Sequence, residues 1–373
     1  MRICYIADGR TISIHPQRWL NYFAQKGHEV HLISPLPGEG FAKGVQLHLL
    51  VRLLPQIWPV TRYLNGLLWL AQARRLVKKI KPDILDAHYV TVNGYLAVAS
   101  GFHPLVLSVW GSDILIDPQR NFLFKAATKY SLKRADVVTC DAEHIVEELV
   151  KHGAPQEKVR LIHFGTDTRK FKPGQKSEKL KGELGILDST AVISLRSLKP
   201  IYDVESLIKA IPLVLEEIPE AKFIIAGEGE ERQYLENLAA SLGVSTSIRF
   251  VGMIANDELP QYLTSSDVYV STSLSDAGLA SSTAEAMACG LPVVITDFGD
   301  NRKWVEDGVN GFIVPLREPE ALASRITYLL HNESDRIKFG QASRQIIEER
   351  NNYDKEMGKV EKFYEELIVR CKK

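Results

Sequence analysis

Short apolar runs, each closed by a small or polar residue and followed by a helical stretch, recur along almost the whole chain, and this narrows the fold more than any other feature. Residues 2–7 (RICYIA) stop at Asp8-Gly9-Arg10, a helical stretch at 16–26 stops at Gly27, and 29–34 (EVHLIS) forms the next run. Runs at 84–88, 105–109 and 136–140 continue the series, with helical segments such as 122–132 and 142–151 between them. Strands that alternate with helices make βαβ units, and βαβ units make parallel sheets. After 159–164 the pattern breaks: 167–181 holds six Lys and Arg, a Pro and a Gly, and reads as a linker. A second series then starts, with strands at 191–195, 222–226, 248–251, 268–271 and 292–296, and helices at 204–217, 232–242 and 259–265. Closing helices are expected at 318–331 and 335–349, and a last one at 353–372 that packs back across the linker.

At 373 residues the chain is too long for one ordinary core and suits two. The expected fold class is α/β, with two Rossmann-like domains facing a central cleft. The expected boundaries are 1–168 for the first domain, 169–185 for the linker, 186–350 for the second domain and 351–373 for the crossing helix. Neither half shows Gly-x-Gly-x-x-Gly after its first strand, which argues against a dinucleotide oxidoreductase. Four scattered cysteines (Cys4, Cys140, Cys289, Cys371) argue against a disulfide scaffold or a zinc site and suit a reducing compartment. No signal-peptide core opens the chain, and no apolar run is long enough to span a bilayer. A cytoplasmic protein is expected, either free or peripheral on the inner face of the cell membrane.

The formal net charge of zero hides an asymmetry. Residues 1–170 hold 22 Lys and Arg against 14 Asp and Glu, and the remainder reverses the sign. Eight basic residues and no acid lie between Glu39 and Asp83, interleaved with Trp58, Tyr63, Leu67, Leu68, Trp69 and Leu70. Such a surface at 43–81 could meet anionic lipid headgroups. A helix with its apolar face in the core and its basic face in water has the same composition. No nucleic-acid partner is expected.

The segment 268–290 carries the most chemistry. A strand (VYVS) leads into Asp276-Ala277-Gly278-Leu279-Ala280, and Ser281-Ser282-Thr283 then opens a helix that holds Glu285. Hydroxyls at a helix start are expected to cap backbone N–H groups, and the helix end favours an anion. Small side chains let a ligand reach the amides. A diphosphate would fit, although a plain βαβ turn has the same ingredients.

The wording SLSDAGLASSTAEAMACGLPVV resembles the donor-site motif of GT-B glycosyltransferases of family 4, and the resemblance spans about residues 1–350. It implies that Glu285 binds the donor ribose. The family's first acid stands eight residues earlier, where this chain has Ala277, and Asp276 is one place off. It further implies that Arg196 holds the leaving diphosphate. Lys199 substitutes for a Lys expected five residues after that Arg, where Ile201 stands. Gly227, Gly229 and Gly252 would line the nucleoside, and Gly278, Leu279, Ala280, Ser281 and Ser282 would meet the donor. The Asp86-Ala87-His88 strand end resembles the family's His-x-His, with His88 at the transferred sugar, and Gly9 and Arg10 lie where a phosphate is met. Gly111-Ser112-Asp113 resembles a cleft loop of some subfamilies, with Trp110 in place of a His.

The resemblance implies a retaining transfer of a hexose-type sugar from a nucleotide-diphosphate sugar to a glycan, lipid-linked or small-molecule acceptor. The growing charge on the diphosphate would be met by Arg196, Lys199 and the helix amides. No paired-carboxylate or Asp-x-Asp motif stands out, so neither a carboxylate nucleophile nor an essential metal is expected, and no cofactor beyond the donor. A GT-B sugar-nucleotide epimerase and a non-catalytic nucleotide-sugar-binding subunit are the alternatives.

Overall fold

The computed structural model describes residues 1–8, 14–38, 40–51, 59–276 and 278–372, with the backbone alone at 14, 15 and 59–64. The chain forms two compact units, Met1–Phe164 with Glu356–Lys373, and Gly165–Lys355. Within the first unit, seven strands lie in the order β3-β2-β1-β4-β5-β6-β7. They are β1 (Arg2–Ile6), β2 (Glu29–Ser34), β3 (Val45–Leu49), β4 (Ile84–His88), β5 (Leu105–Ser108), β6 (Val137–Cys140) and β7 (Val159–Leu161). The second unit holds β8 (Ala191–Leu195), β9 (Lys222–Ala226), β10 (Ile248–Gly252), β11 (Val268–Ser271), β12 (Val293–Thr296) and β13 (Gly311–Val314), in the order β10-β9-β8-β11-β12-β13. Every neighbouring pair in both sheets is parallel.

Parallel strands covered by helices on both faces need apolar side chains on both, which is why these strands read as continuous apolar runs. In the second unit Val192, Phe223, Ile225, Val268 and Val270 enter one core, and Ile193, Ile224, Tyr269, Val293 and Ile295 enter the other. Adjacent residues of one strand thus serve opposite faces, as the two-residue period of a strand requires.

Each sheet reverses its winding once, between β1 and β4 in the first and between β8 and β11 in the second. At such a switch point the loops leaving the carboxyl ends of the two strands diverge, and the crevice between them is where open α/β sheets take ligands.

Among the elements that escaped the sequence reading are β3 and the helix Val92–Ser100. Strand β3 is an edge strand whose Leu47 and Leu49 are exposed, so the apolar pattern there reports no core. The stretch read as a linker ends in a helix, Glu178–Leu184, which is capped by the Ser177 side chain at its start and by Gly185 at its end, and it falls inside the second unit. The basic segment forms the helix Pro59–Ile80, on which Ala73, Val77 and Ile80 are buried while Arg74, Arg75, Lys78 and Lys79 face out. Among the described residues no helix is long and apolar enough to cross a membrane.

Candidate functional site

At the second switch point, β8 ends on Leu195, and Arg196 is the first residue beyond it. Its side chain is buried, with its guanidinium 4.3 Å from the centre of the Tyr202 ring. Nη2 donates to Asp276 Oδ1 at 2.5 Å and to Ser273 Oγ at 3.4 Å, and Nη1 donates to Ser282 Oγ at 3.3 Å. Ser282 also shares a 2.8 Å hydrogen bond with the buried Tyr269 hydroxyl. One cation therefore ties the end of β8 to the loop after β11 and to the helix Ser281–Ala288. Burial pushes the Asp276 carboxyl above its usual range, against the pull of the Arg196 charge. The guanidinium stays charged throughout.

The expected capping by Ser281, Ser282 and Thr283 is not what these hydroxyls do. The N-cap position falls on Ala280, with no side-chain cap, so Ser281 already sits inside the first turn. Ser282 and Thr283 turn sideways to Arg196 and Tyr269 instead. The first N–H groups of that helix lack a side-chain acceptor at the cap, which keeps the helix end suited to an external anion. Glu285 lies in the same helix, half-buried, one turn on.

The glycines Gly227 and Gly229 have a reason of their own. A Cβ at Gly227 would lie 2.2 Å from the Arg196 carbonyl oxygen, and one at Gly229 would lie 2.0 Å from that of Leu198. The loop after β9 packs its backbone directly on the Arg196–Leu198 turn, held by Leu198 N–H to Glu228 O at 3.0 Å. Gly252 joins from β10 by accepting the Gly227 N–H at 2.8 Å. Lys199 is exposed at the start of the short turn Pro200–Tyr202, and no hydrogen bond among the described residues joins it to Arg196 or Glu285. Gly278 is buried, while Leu279 and Ala280 are half-buried in the same loop; Ala277 lies outside the described residues.

At the first switch point, β4 ends on Asp86, Ala87 and His88, all buried. The Asp86 carboxylate accepts from Ser108 Oγ on β5 and from the Tyr364 hydroxyl, and Ser108 accepts in turn from Thr139 on β6. Burial pushes the Asp86 carboxyl up to about 7, against these two donors. The His88 ring is flanked by Tyr5 and Trp19 edge-on at centroid distances of 5.5 and 5.2 Å, and by Trp110, tilted, at 5.4 Å. Tyr89 follows with φ of 79°, a strained value for a large side chain. It is held by its N–H on Ser108 O at 3.0 Å, its hydroxyl on Ser112 at 2.8 Å, and Asn93 Nδ2 on the His88 carbonyl at 2.8 Å. Asp113 is buried as well and accepts the Val90 and Trp110 N–H groups at 2.8 and 3.0 Å, so it pins the loops after β4 and β5 together. Gly9 and Arg10 lie outside the described residues.

Sequence reasoning missed Tyr202, Tyr269, Ser273 and Tyr364 as neighbours of these groups. Only Tyr269 gave a signal, as an aromatic hydroxyl inside an otherwise apolar strand.

The family described as glycosyl transferases group 1 matches residues 176–346, and the glycosyl transferase 4-like family matches residues 2–142. The chain belongs to the GT-B glycosyltransferases of family 4. As a member it is 27% identical over 358 residues to the sulfoquinovosyl transferase of Arabidopsis thaliana, with 91% of this chain and 66% of that protein covered. It is 23% identical to the N-acetyl-alpha-D-glucosaminyl L-malate synthase of Bacillus anthracis, with 92% and 91% covered. The chain thus spans just under two thirds of the plant relative's length. Among solved structures, HepE of Anabaena in complex with UDP superimposes with a TM-score of 0.82 at 20% identity, covering 98% of this chain and all of that one, which shows the shared GT-B fold.

Proposed function

We propose that this glycosyltransferase moves a hexose-type sugar from a nucleotide-diphosphate sugar, with retention of anomeric configuration, to a glycan, lipid-linked or small-molecule acceptor. The observation that carries the reading is Arg196, a buried cation set at the second switch point beside the uncapped start of the helix Ser281–Ala288. Breaking the anomeric C–O bond loads negative charge onto the leaving diphosphate, and fixed donors in a buried setting stabilise such charge strongly. HepE binds UDP and UDP-glucose, which supports a nucleotide sugar as donor here. On this reading Glu285 meets the ribose, the loops at Gly227, Gly229 and Gly252 bring backbone to the nucleoside, and His88 meets the transferred sugar. Arg196 supplies the positive charge, so turnover is expected to persist in EDTA.

Thermal stabilisation by a panel of nucleoside diphosphates and their sugars tests the donor, since a ligand of the native state raises Tm. Slow sugar release from the matching donor that depends on Arg196 and Glu285 supports the transferase. Tight binding with no release, or donor interconversion without acceptor, overturns it.

The reading includes contact with an anionic membrane on the cytoplasmic side. Its support is an open depression of about 460 Å³ lined by Leu67, Leu70, Arg74, Arg75 and Lys78, with the Leu67 side chain 64% exposed. Apolar side chains fringed by cations suit lipid headgroups. Co-sedimentation with phosphatidylglycerol vesicles that salt abolishes and that Arg74→Glu with Arg75→Glu removes is expected; equal binding to neutral vesicles would refute it.

A further inference from the structure

We propose that Asp86 and Tyr364 are positioning residues for His88, so that the last helix of the chain, Tyr353–Lys372, controls the imidazole at the end of β4. The inference rests on the reading that His88 meets the transferred sugar. It begins from a burial that the fold alone does not require. Asp86 is fully buried in the middle of a parallel sheet, where a carboxylate is costly unless donors surround it. Two hydroxyls do so. Ser108 donates to both carboxylate oxygens at 2.9 and 3.1 Å, and Tyr364 donates to Oδ2. Burial, and then the nearby Asp86 charge, hold the Tyr364 phenol far above its ordinary range, so it remains a donor.

Residues two apart in a strand share a face, which puts Asp86 and His88 side by side. Asp86 Oδ2, the oxygen that Tyr364 holds, lies 3.7 Å from His88 Nε2. That separation is too long for a hydrogen bond and short enough for a strong charge contact in a buried setting. Among the described residues, aromatic rings face the pair from several elements. Tyr5 on β1 edges His88, and its phenol also bears on Tyr364. Trp19 and Trp110 close two further sides of the ring. Arg18 lies 4.1 Å above the Phe164 ring that edges Trp110. Beyond these, Asp8 acts on the Tyr89 hydroxyl, Asp113 is committed to two backbone N–H groups, and Glu356 accepts the His163 N–H. Tyr364 itself is locked by stacking on Phe23 at 5.3 Å and by the edge of Phe363 at 4.9 Å. The aromatic walls carry no charge, so the charge on Asp86, 3.7 Å away, acts on His88 through an apolar setting.

The sign follows from the competition on Asp86. Burial favours the neutral acid, while Tyr364 and Ser108 favour the carboxylate, with a balance at about 7. Removing the Tyr364 hydroxyl lets burial gain, so Asp86 stays neutral to a higher pH. Tyr364→Phe is therefore expected to lower kcat/KM about tenfold at pH 7, the worth of one hydrogen bond to a charged group, with most of the loss in kcat and donor KM little changed. Raising the pH to about 9 should return it to within about twofold of the parent, because the carboxylate then forms without help. Asp86→Asn should be impaired at every pH and show no recovery.

The experiment measures donor hydrolysis from pH 6 to 9 for the parent, Tyr364→Phe, Asp86→Asn, His88→Gln and the Tyr364→Phe/His88→Gln pair. Recovery of Tyr364→Phe at high pH, together with no further loss when it is added to His88→Gln, supports the inference. A loss that is the same at all pH values, or that adds fully to His88→Gln, marks Tyr364 as a packing residue and overturns it. Parent-like activity in His88→Gln overturns it together with the assignment of His88, while the Arg196 variant continues to test donor binding separately. If Tyr364→Phe fails to fold, Ser108→Ala provides the same comparison from the other donor.

Discussion

The two sheets reach their switch points by the same winding, yet they build opposite chemistry there. Beyond β8 the first side chain is a cation, Arg196, shared among a carboxylate and two hydroxyls. At the end of β4 the charged group is an acid, Asp86, held by two hydroxyls beneath an imidazole walled by aromatic rings. The first arrangement suits an anion, and the second suits control of a proton near a neutral ligand. Topology fixes where the loops open, and the side chains at the strand ends decide what enters.

The sharpest way to break this contrast is Arg196→Ala. Loss of one fixed donor to a developing charge costs about 10² to 10³ in rate, so kcat/KM should fall by that amount, and stabilisation by nucleoside diphosphates should vanish. Thermal scans with and without diphosphate check both statements. Retained turnover would mean that the second switch point holds no phosphate. Glu285→Ala should cost less, about 10- to 100-fold, because the ribose contact proposed for it would support binding more than charge development. That loss should appear in donor KM as well as in kcat.

The second region was far more legible in the sequence than the first. Arg196, Gly227 and Gly229 in loops, and Ser282 in the first turn of its helix, have residue types dictated by close backbone approach or by charge, and such demands leave marks on a sequence. Most strands of both sheets were visible because two buried faces force unbroken apolar runs, and the exposed edge strand β3 escaped for want of them. Around His88 the partners are distant in sequence. Tyr364 lies 278 residues from Asp86, and an aromatic in an amphipathic helix looks like any core residue. The role of Ser282 was misread because the helix begins one residue earlier than hydroxyl placement suggests, and helix ends are the least secure part of such a reading.

Packing provides a milder test of the same corner. Gly229→Ala would drive a methyl group into the Leu198 carbonyl, 2.0 Å away, and the backbone must yield. Overpacking of this kind costs about 1–3 kcal/mol, which should lower Tm by several degrees for a unit of this size. A matching substitution at the half-buried Gly358, where a Cβ meets nothing within 4 Å, should leave Tm unchanged or slightly raised, because alanine favours the helix. Equal behaviour of the two variants would show that the loop after β9 is not clamped on the Arg196 turn.

Asp276 gives the smallest effect and the finest distinction. Its carboxylate occupies the Arg196 Nη2 that an incoming diphosphate would also seek, and it is the charged neighbour bonded to that guanidinium. If it acts as a stand-in anion, Asp276→Asn leaves a buried cation without its counter-charge, so the free protein loses stability while the diphosphate meets no competitor. The expected result is a lower Tm without ligand and about three- to tenfold tighter binding of the nucleoside diphosphate, with the larger Tm gain on adding it. A carboxylate that instead gripped the hexose would give the reverse order. Affinity for the sugar nucleotide would then fall and affinity for the bare diphosphate would hold, so calorimetry with the two ligands separates the roles. The first outcome makes the corner a site that stores its own anion until the donor arrives, a device with no counterpart at β4, where the buried acid faces an imidazole rather than a guanidinium.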